Sequence, residues 1–172
     1  MMKNIHVHLA GQQNEEVLDL LWSAWYTLNG SVLVNEVRET SYDSKEAVLI
    51  ESIKHFRESS RLLWVVVDWA IDHHFEVDWA QVFPKLEKAD LPVFGVFCSL
   101  VCGRVTCLPL EELMKKCKPA GQQEVFFHRV AASKIASKYT KDEALPLYLH
   151  WNFLCNEIRY LRDKPALSLN VT

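Results

Sequence analysis

Glycine is scarce, with five in 172 residues. Disordered chains carry many breakers and few apolar groups. Here 49% of the residues are apolar, so a packed core is expected. Long apolar runs are missing too: none approaches the ~20 residues of a membrane span, because Asp68 and Asp72 interrupt the best candidate. The segment Met1-Met2-Lys3-Asn4-Ile5-His6-Val7-His8 lacks the stretch of roughly 7–15 apolar residues that a secretory signal requires. The five cysteines are odd in number and irregularly spaced, which argues against a disulfide framework and for a reducing, cytoplasmic setting. Charge of one sign is not concentrated. Nineteen basic residues stand against 22 acidic ones, and the densest basic cluster is only Lys115, Lys116 and Lys118. That is too few cations to neutralise several phosphates, so neither nucleic acid nor membrane is expected as a partner. Walker, G-x-G-x-x-G, G-x-S-x-G and kinase signatures do not occur.

The patterns that are present suggest alternating strands and helices. Ile5, Val7 and Leu9 alternate with Asn4, His6 and His8, the period of a strand with one covered face. Val17, Leu18, Leu21, Trp25 and Leu28 then fall on one helical stripe, which Asn29-Gly30 closes. Asp43 with Glu46 has the spacing of a capping box, ahead of a stripe formed by Leu49, Ile50, Ile53 and Phe56. Two continuous apolar runs, Leu62–Val67 and Val93–Phe97, suit strands covered on both faces. Asp78 is placed to cap a helix through Trp79 and Val82, and Pro84 must kink or restart it. Beyond Gly121 the strand pattern disappears. Phe127, Ala131 and Ile135 mark one helix, and Leu147, Trp151, Leu154, Ile158 and Leu161 mark a longer one over 145–162.

The expected fold is therefore α/β: a flavodoxin-like open parallel sheet of four to five strands, with helices on both faces and extra C-terminal helices. The strands are expected near 5–9, 31–37, 62–68 and 92–98. The alternative is an all-α bundle in which 62–71 and 91–102 are buried helices, with Gly103 placed as a helix terminator. The length suits a single domain over 1–164, with C-terminal helices in 122–164 and a loose tail at 165–172.

In layout, the stretches Val7-His8-Leu9-Ala10-Gly11 and Ser60-Arg61-Leu62-Leu63-Trp64-Val65-Val66-Val67 before Asp68 resemble small flavodoxin-type domains. Toll/interleukin-receptor domains and nucleoside deoxyribosyltransferases belong to that group. Asp78-Trp79 is similar to the tryptophan that opens the next helix in the Toll-like group. The catalytic forms of that group carry a glutamate one turn later, where this chain has Phe83. The resemblance spans about the first 100 residues.

Candidate chemistry centres on Asp68, which the α/β reading puts at the carboxyl end of the third strand, where open α/β sheets bind ligands. Asp72, Glu76, His73 and His74 follow it. Grouped carboxylates and imidazoles at a strand end suit acid–base work on a glycosidic bond, or binding of a nucleotide-like ligand; the bland reading is a solvated turn. His6 and His8 would share one strand face, a spacing that metal-dependent hydrolases use. Cys98, Cys102 and Cys107 sit among Phe97, Leu100 and Val101, as cysteines acting as small core hydrophobes do. No metal or other cofactor is expected. The favoured function is a non-catalytic interaction or regulatory module that binds a protein partner or forms a homodimer through Trp151, Leu154 and Ile158. The alternative is a small nucleotide- or nucleoside-processing hydrolase or transferase that uses Asp68, Asp72 and Glu76.

Overall fold

The computed structural model describes residues 2–157, with side chains from Asn14 onward, and its regular structure is almost wholly helical. Among the described residues there are nine α-helices and two strands of two residues each. They form two compact units that divide between Leu86 and Glu87. No described helix is long and apolar enough to cross a membrane.

The first unit consists of α1 (Met2–Thr27), α2 (Lys45–His55), α3 (Ser60–His73) and α4 (Trp79–Val82), with 3-10 turns at His74–Glu76 and Phe83–Lys85. Helix α1 stops as its sequence predicts. Asn29 takes a left-handed φ of 60°, and the Gly30 amide donates to the Trp25 carbonyl at 2.7 Å. A Cβ on Gly30 would lie 2.9 Å from that same oxygen, so a side chain there would force the turn open. Helix α2 buries the expected Leu49, Ile50, Ile53 and Phe56. Its cap is Ser44, whose hydroxyl accepts from the Ala47 amide at 3.2 Å, rather than Asp43. Glu46 is drawn away from a capping box because its carboxylate accepts the Asp78 amide at 3.1 Å. Asp78 does cap α4, and Pro84 ends it in a 3-10 turn.

The flavodoxin-like α/β sheet is absent among the described residues, and each of its four strands is replaced. Residues 5–9 lie inside α1, 31–37 are irregular, 62–68 lie inside α3 and 92–98 inside α5 (Leu91–Cys102). For 62–68 the deciding signals are local. The Ser59 hydroxyl accepts from the Leu62 amide at 3.2 Å and starts a helix of 14 residues, well beyond the length of a usual strand. The period is carried by the polar positions: Arg61, Asp68 and Asp72, spaced seven and four, are the less buried face of an otherwise enclosed helix. For 92–98 the proline read as a strand start occupies the first turn of α5, where its fixed φ and missing N–H suit a helix. Helix α5 then ends at Gly103, as the all-α alternative predicts. With the sheet goes the layout on which the resemblance to Toll-like domains and deoxyribosyltransferases rests.

The second unit holds α5, α6 (Leu108–Met114), α7 (His128–Ala131), α8 (Lys134–Asp142) and α9 (Pro146–His150), together with β1 (Glu124–Val125) and β2 (Phe153–Leu154). The only strands among the described residues thus lie where helices alone are predicted. They pair in parallel, Glu124 with Phe153 and Val125 with Leu154. The helix predicted over 145–162 ends at His150 because Asn152 adopts a left-handed φ of 60° and turns the chain into β2. Its side-chain amide holds the turn by donating to the Ala120 carbonyl at 2.6 Å. Phe126 is the hub of the adjoining core, with ring centroids 4.9 Å from Phe127 and Phe153 and 5.3 Å from Tyr148. These edge-on arrangements match the quadrupoles of the rings. Phe127 is buried, but Ala131 and Ile135 are exposed; that predicted helix is instead two short helices, α7 and α8.

Candidate functional site

The acidic and histidine-rich segment 68–76 is the end of a helix rather than a strand-end loop. Asp68 lies within α3, half-buried, and Asp72 follows one turn later, exposed. The His73 ring stacks on Trp69, with centroids 4.8 Å apart and planes at 7°, and its Nδ1 lies 2.9 Å from the Trp69 carbonyl oxygen. The His74 Nδ1 lies 3.1 Å from the Ile71 carbonyl oxygen. A carbonyl only accepts, so each imidazole carries a proton on Nδ1 and closes the C-terminal end of α3. The Glu76 carboxylate pairs with the Lys45 ammonium at 3.5 Å, and the Trp79 indole donates to the His74 carbonyl at 2.9 Å. His73, His74 and Glu76 therefore have structural partners, and the Glu76–Lys45 and Trp79–His74 contacts tie α2 and α4 to the end of α3. For His6 and His8, the strand that would align them is replaced by α1, and their side chains lie outside the described residues, as do Ile158 and Leu161.

A polar hollow of about 430 Å³ lies beside α1 in the first unit. The Arg61 guanidinium stands 5.0 Å from the centre of the Trp22 ring, and the Arg38 guanidinium pairs with Asp19 at 3.3 Å. Both members of that ion pair are half-exposed, so solvent and salt weaken it. Its cations are offset by Asp19 and Glu36 on the same walls, which leaves no dominant sign of charge.

The second unit contains a larger hollow of different character, a groove of about 650 Å³. Its walls are mainly apolar, from Met114, Pro119, Pro146, Leu147 and Trp151. Its floor is built by a close approach of two elements. Gly95 and Ser99 lie one turn apart on α5, and the Trp151 indole lies flat against the gap left by the glycine. A Cβ on Gly95 would come within 2.5 Å of the ring. The Trp151 Nε1–H donates to the Ser99 hydroxyl at 2.9 Å. That hydroxyl in turn donates to the Gly95 carbonyl at 2.9 Å, with the Met114 sulfur 3.4 Å away. Trp151 is thus held on its face and at its polar edge, and it is 2% exposed. Leu154, the other described residue of the expected interface, is buried in β2. What the sequence reading missed here is the pair of small residues four apart on α5, Gly95 and Ser99; that spacing is legible only once the run is known to be helical.

The cysteines lie in the same unit. Burial pushes the Cys98 thiol well above its ordinary range, Cys102 up to about 12, and Cys117 and Cys155 up to about 11. Thiols that keep their protons this far are poor nucleophiles. Cys117 donates to the Leu113 carbonyl at 3.5 Å and lines the groove as a small apolar group. Native Cys117 is expected to react with iodoacetamide at about pH 8 roughly a hundredfold more slowly than in the urea-unfolded chain, with the rate rising about tenfold per pH unit. Peptide mass spectrometry measures both, and a rate that levels off near pH 9 would contradict the assignment. The same shifts set a stability window. The unfolded thiols release protons near 9.0 and the folded ones near 11 to 12, so this contribution is complete below about pH 9 and declines as pH rises toward 12.

Among the described residues, no three His, Cys, Asp or Glu side chains form a group able to hold a metal ion. No protein-family model, curated protein or solved structure significantly matches this chain.

Proposed function

We propose that this chain is a non-catalytic interaction module and that the groove of the second unit receives a short apolar segment of a partner protein. The observation that carries this reading is the immobilised Trp151 beneath a mainly apolar hollow. A ring already fixed by Gly95 and Ser99 loses no further side-chain freedom when a ligand arrives, so binding is not charged for ordering it. Methionine, proline and aliphatic walls suit apolar side chains and adapt to more than one shape. On the enzymatic side, His73 and His74 direct Nδ1 at backbone carbonyls and Glu76 faces Lys45, which supports structural rather than acid–base roles for that segment.

The test is selection of a displayed peptide library on the full-length chain and on Leu147→Glu, which places a carboxylate on the groove wall. Enriched peptides with an apolar core should bind the wild-type chain with micromolar affinity and lose at least tenfold on the variant, while its circular dichroism is unchanged. Selection that yields no apolar consensus, or peptides that bind both chains alike, would refute the proposal.

A further inference from the structure

The chain also carries an occupant for its own groove: we infer that residues 165–172 fold back onto the groove of the second unit and compete there with the partner segment. This deepens the reading of the groove as a docking surface for an apolar segment and rests on it. The described residues end beside the groove wall. The Leu145 amide donates to the Cys155 carbonyl at 2.9 Å, and Pro146 and Leu147, the next two residues after Leu145, line the groove. Glu157, the last described residue, follows Cys155 by two positions. From Cys155 to Leu167 the backbone can span about 40 Å, several times the breadth of a hollow of about 650 Å³. Reach therefore does not limit the contact. Composition then selects the segment. Residues 158–164 hold Arg159, Arg162, Asp163 and Lys164, whereas 165–172 carry no charged side chain. In extended form Leu167, Leu169 and Val171 share one face, with Ser168 and Asn170 on the other. Such a face suits the mainly apolar walls, and the one lysine among the lining residues, Lys115, pairs with Glu112 at 2.6 Å. A tether of this length sets an effective concentration on the order of 1 mM, so an intrinsic affinity of about 100 µM keeps the groove closed about nine-tenths of the time. An outside partner then binds about tenfold more weakly than the open groove allows.

The experiment titrates the wild-type chain and the double variant Leu167→Asp/Leu169→Asp with a fluorescein-labelled peptide of residues 165–172, read by anisotropy. The peptide should bind the double variant with a Kd of about 100 µM and the wild type at least about tenfold more weakly, because the tethered segment is already in place. Adding Leu147→Glu to the double variant should abolish that binding. Hydrogen exchange checks the unaltered chain: the amides of 166–171 should exchange about tenfold faster once an apolar peptide selected on the groove is added in excess. A 165–172 peptide that binds neither chain, or both alike, overturns the inference, as does exchange at 166–171 that the selected peptide leaves unchanged. Selected peptides that bind the wild type and the double variant equally would leave the docking groove standing without an internal occupant. Failure of every apolar peptide on the double variant, whose groove is open, overturns both readings. Closure that deepens as the chain is concentrated from about 1 to about 100 µM would assign the segment to a second copy and also overturn the inference.

Discussion

Trp151→Ala is expected to destabilise the second unit by about 3–5 kcal/mol, the range for removing a buried tryptophan without collapse of the site. The side chain is 2% exposed, its ring covers Gly95, and its indole N–H is bonded to Ser99. The truncation removes apolar contacts and leaves the Ser99 hydroxyl facing a cavity. Urea unfolding gives the magnitude, and hydrogen exchange of the amides in α5 and α9 localises it. A loss below about 1 kcal/mol would show that the ring is not packed as described. The adjoining glycine offers a sharper check through its sign. Gly95→Ala should cost about 1–3 kcal/mol in the wild-type chain, because a methyl group 2.5 Å from the indole must displace a ring held on its face and at its polar edge. In the Trp151→Ala chain the same substitution should be neutral or stabilising by up to about 1 kcal/mol, since alanine is the better helix former. That reversal is a coupling between two residues in contact, and simple additivity would argue against the packing.

Trp25→Ala should have an effect of similar size in the first unit, again about 3–5 kcal/mol. Trp25 is fully buried and meets Trp69 edge-on with ring centroids 5.2 Å apart. Its indole N–H donates to the buried Ser52 hydroxyl at 2.9 Å, and that hydroxyl donates to the Val48 carbonyl at 2.7 Å. This short chain of bonds ties α1 to α2 through the core. Ser52→Ala removes the indole's acceptor while keeping the ring, and should cost about 1–3 kcal/mol for the unpaired buried N–H. Trp25→Phe in the Ser52→Ala background should cost less than the sum of the two single changes, because the donor and its lost acceptor disappear together. Strict additivity in denaturant unfolding would show that the bond contributes little.

The local punctuation of this chain was legible in its residues. Asn29-Gly30 as a stop, Asp78 as a cap, Pro84 as a break and the Leu49-Ile50-Ile53-Phe56 face all depend on bonds or contacts within about one helical turn, so each carries its own signal. Even here one neighbour intervened: Asp78 attracted Glu46 and shifted the cap of α2 to Ser44. The elements that decided fold class were not legible in the same way. Residues 62–71 and 91–102 are apolar nearly throughout, and such a run is enclosed whether it coils or extends, so its hydrophobic pattern does not distinguish the two. The polar positions of α3 carried the helical period, and a reading weighted toward apolar residues passed over them. Strands β1 and β2 are two residues each and exist only through their pairing, which no local preference announces. The groove was least legible of all. Its floor requires the glycine gap on α5 to meet a tryptophan brought there by the left-handed turn at Asn152, and only tertiary structure joins segments so distant in sequence. The sequence by itself determined the stop at Asn29-Gly30, the cap at Asp78 and that the two apolar runs would be buried. Tertiary packing decided which residues face one another, because burial is a property of the neighbours a segment finds and not of the segment alone.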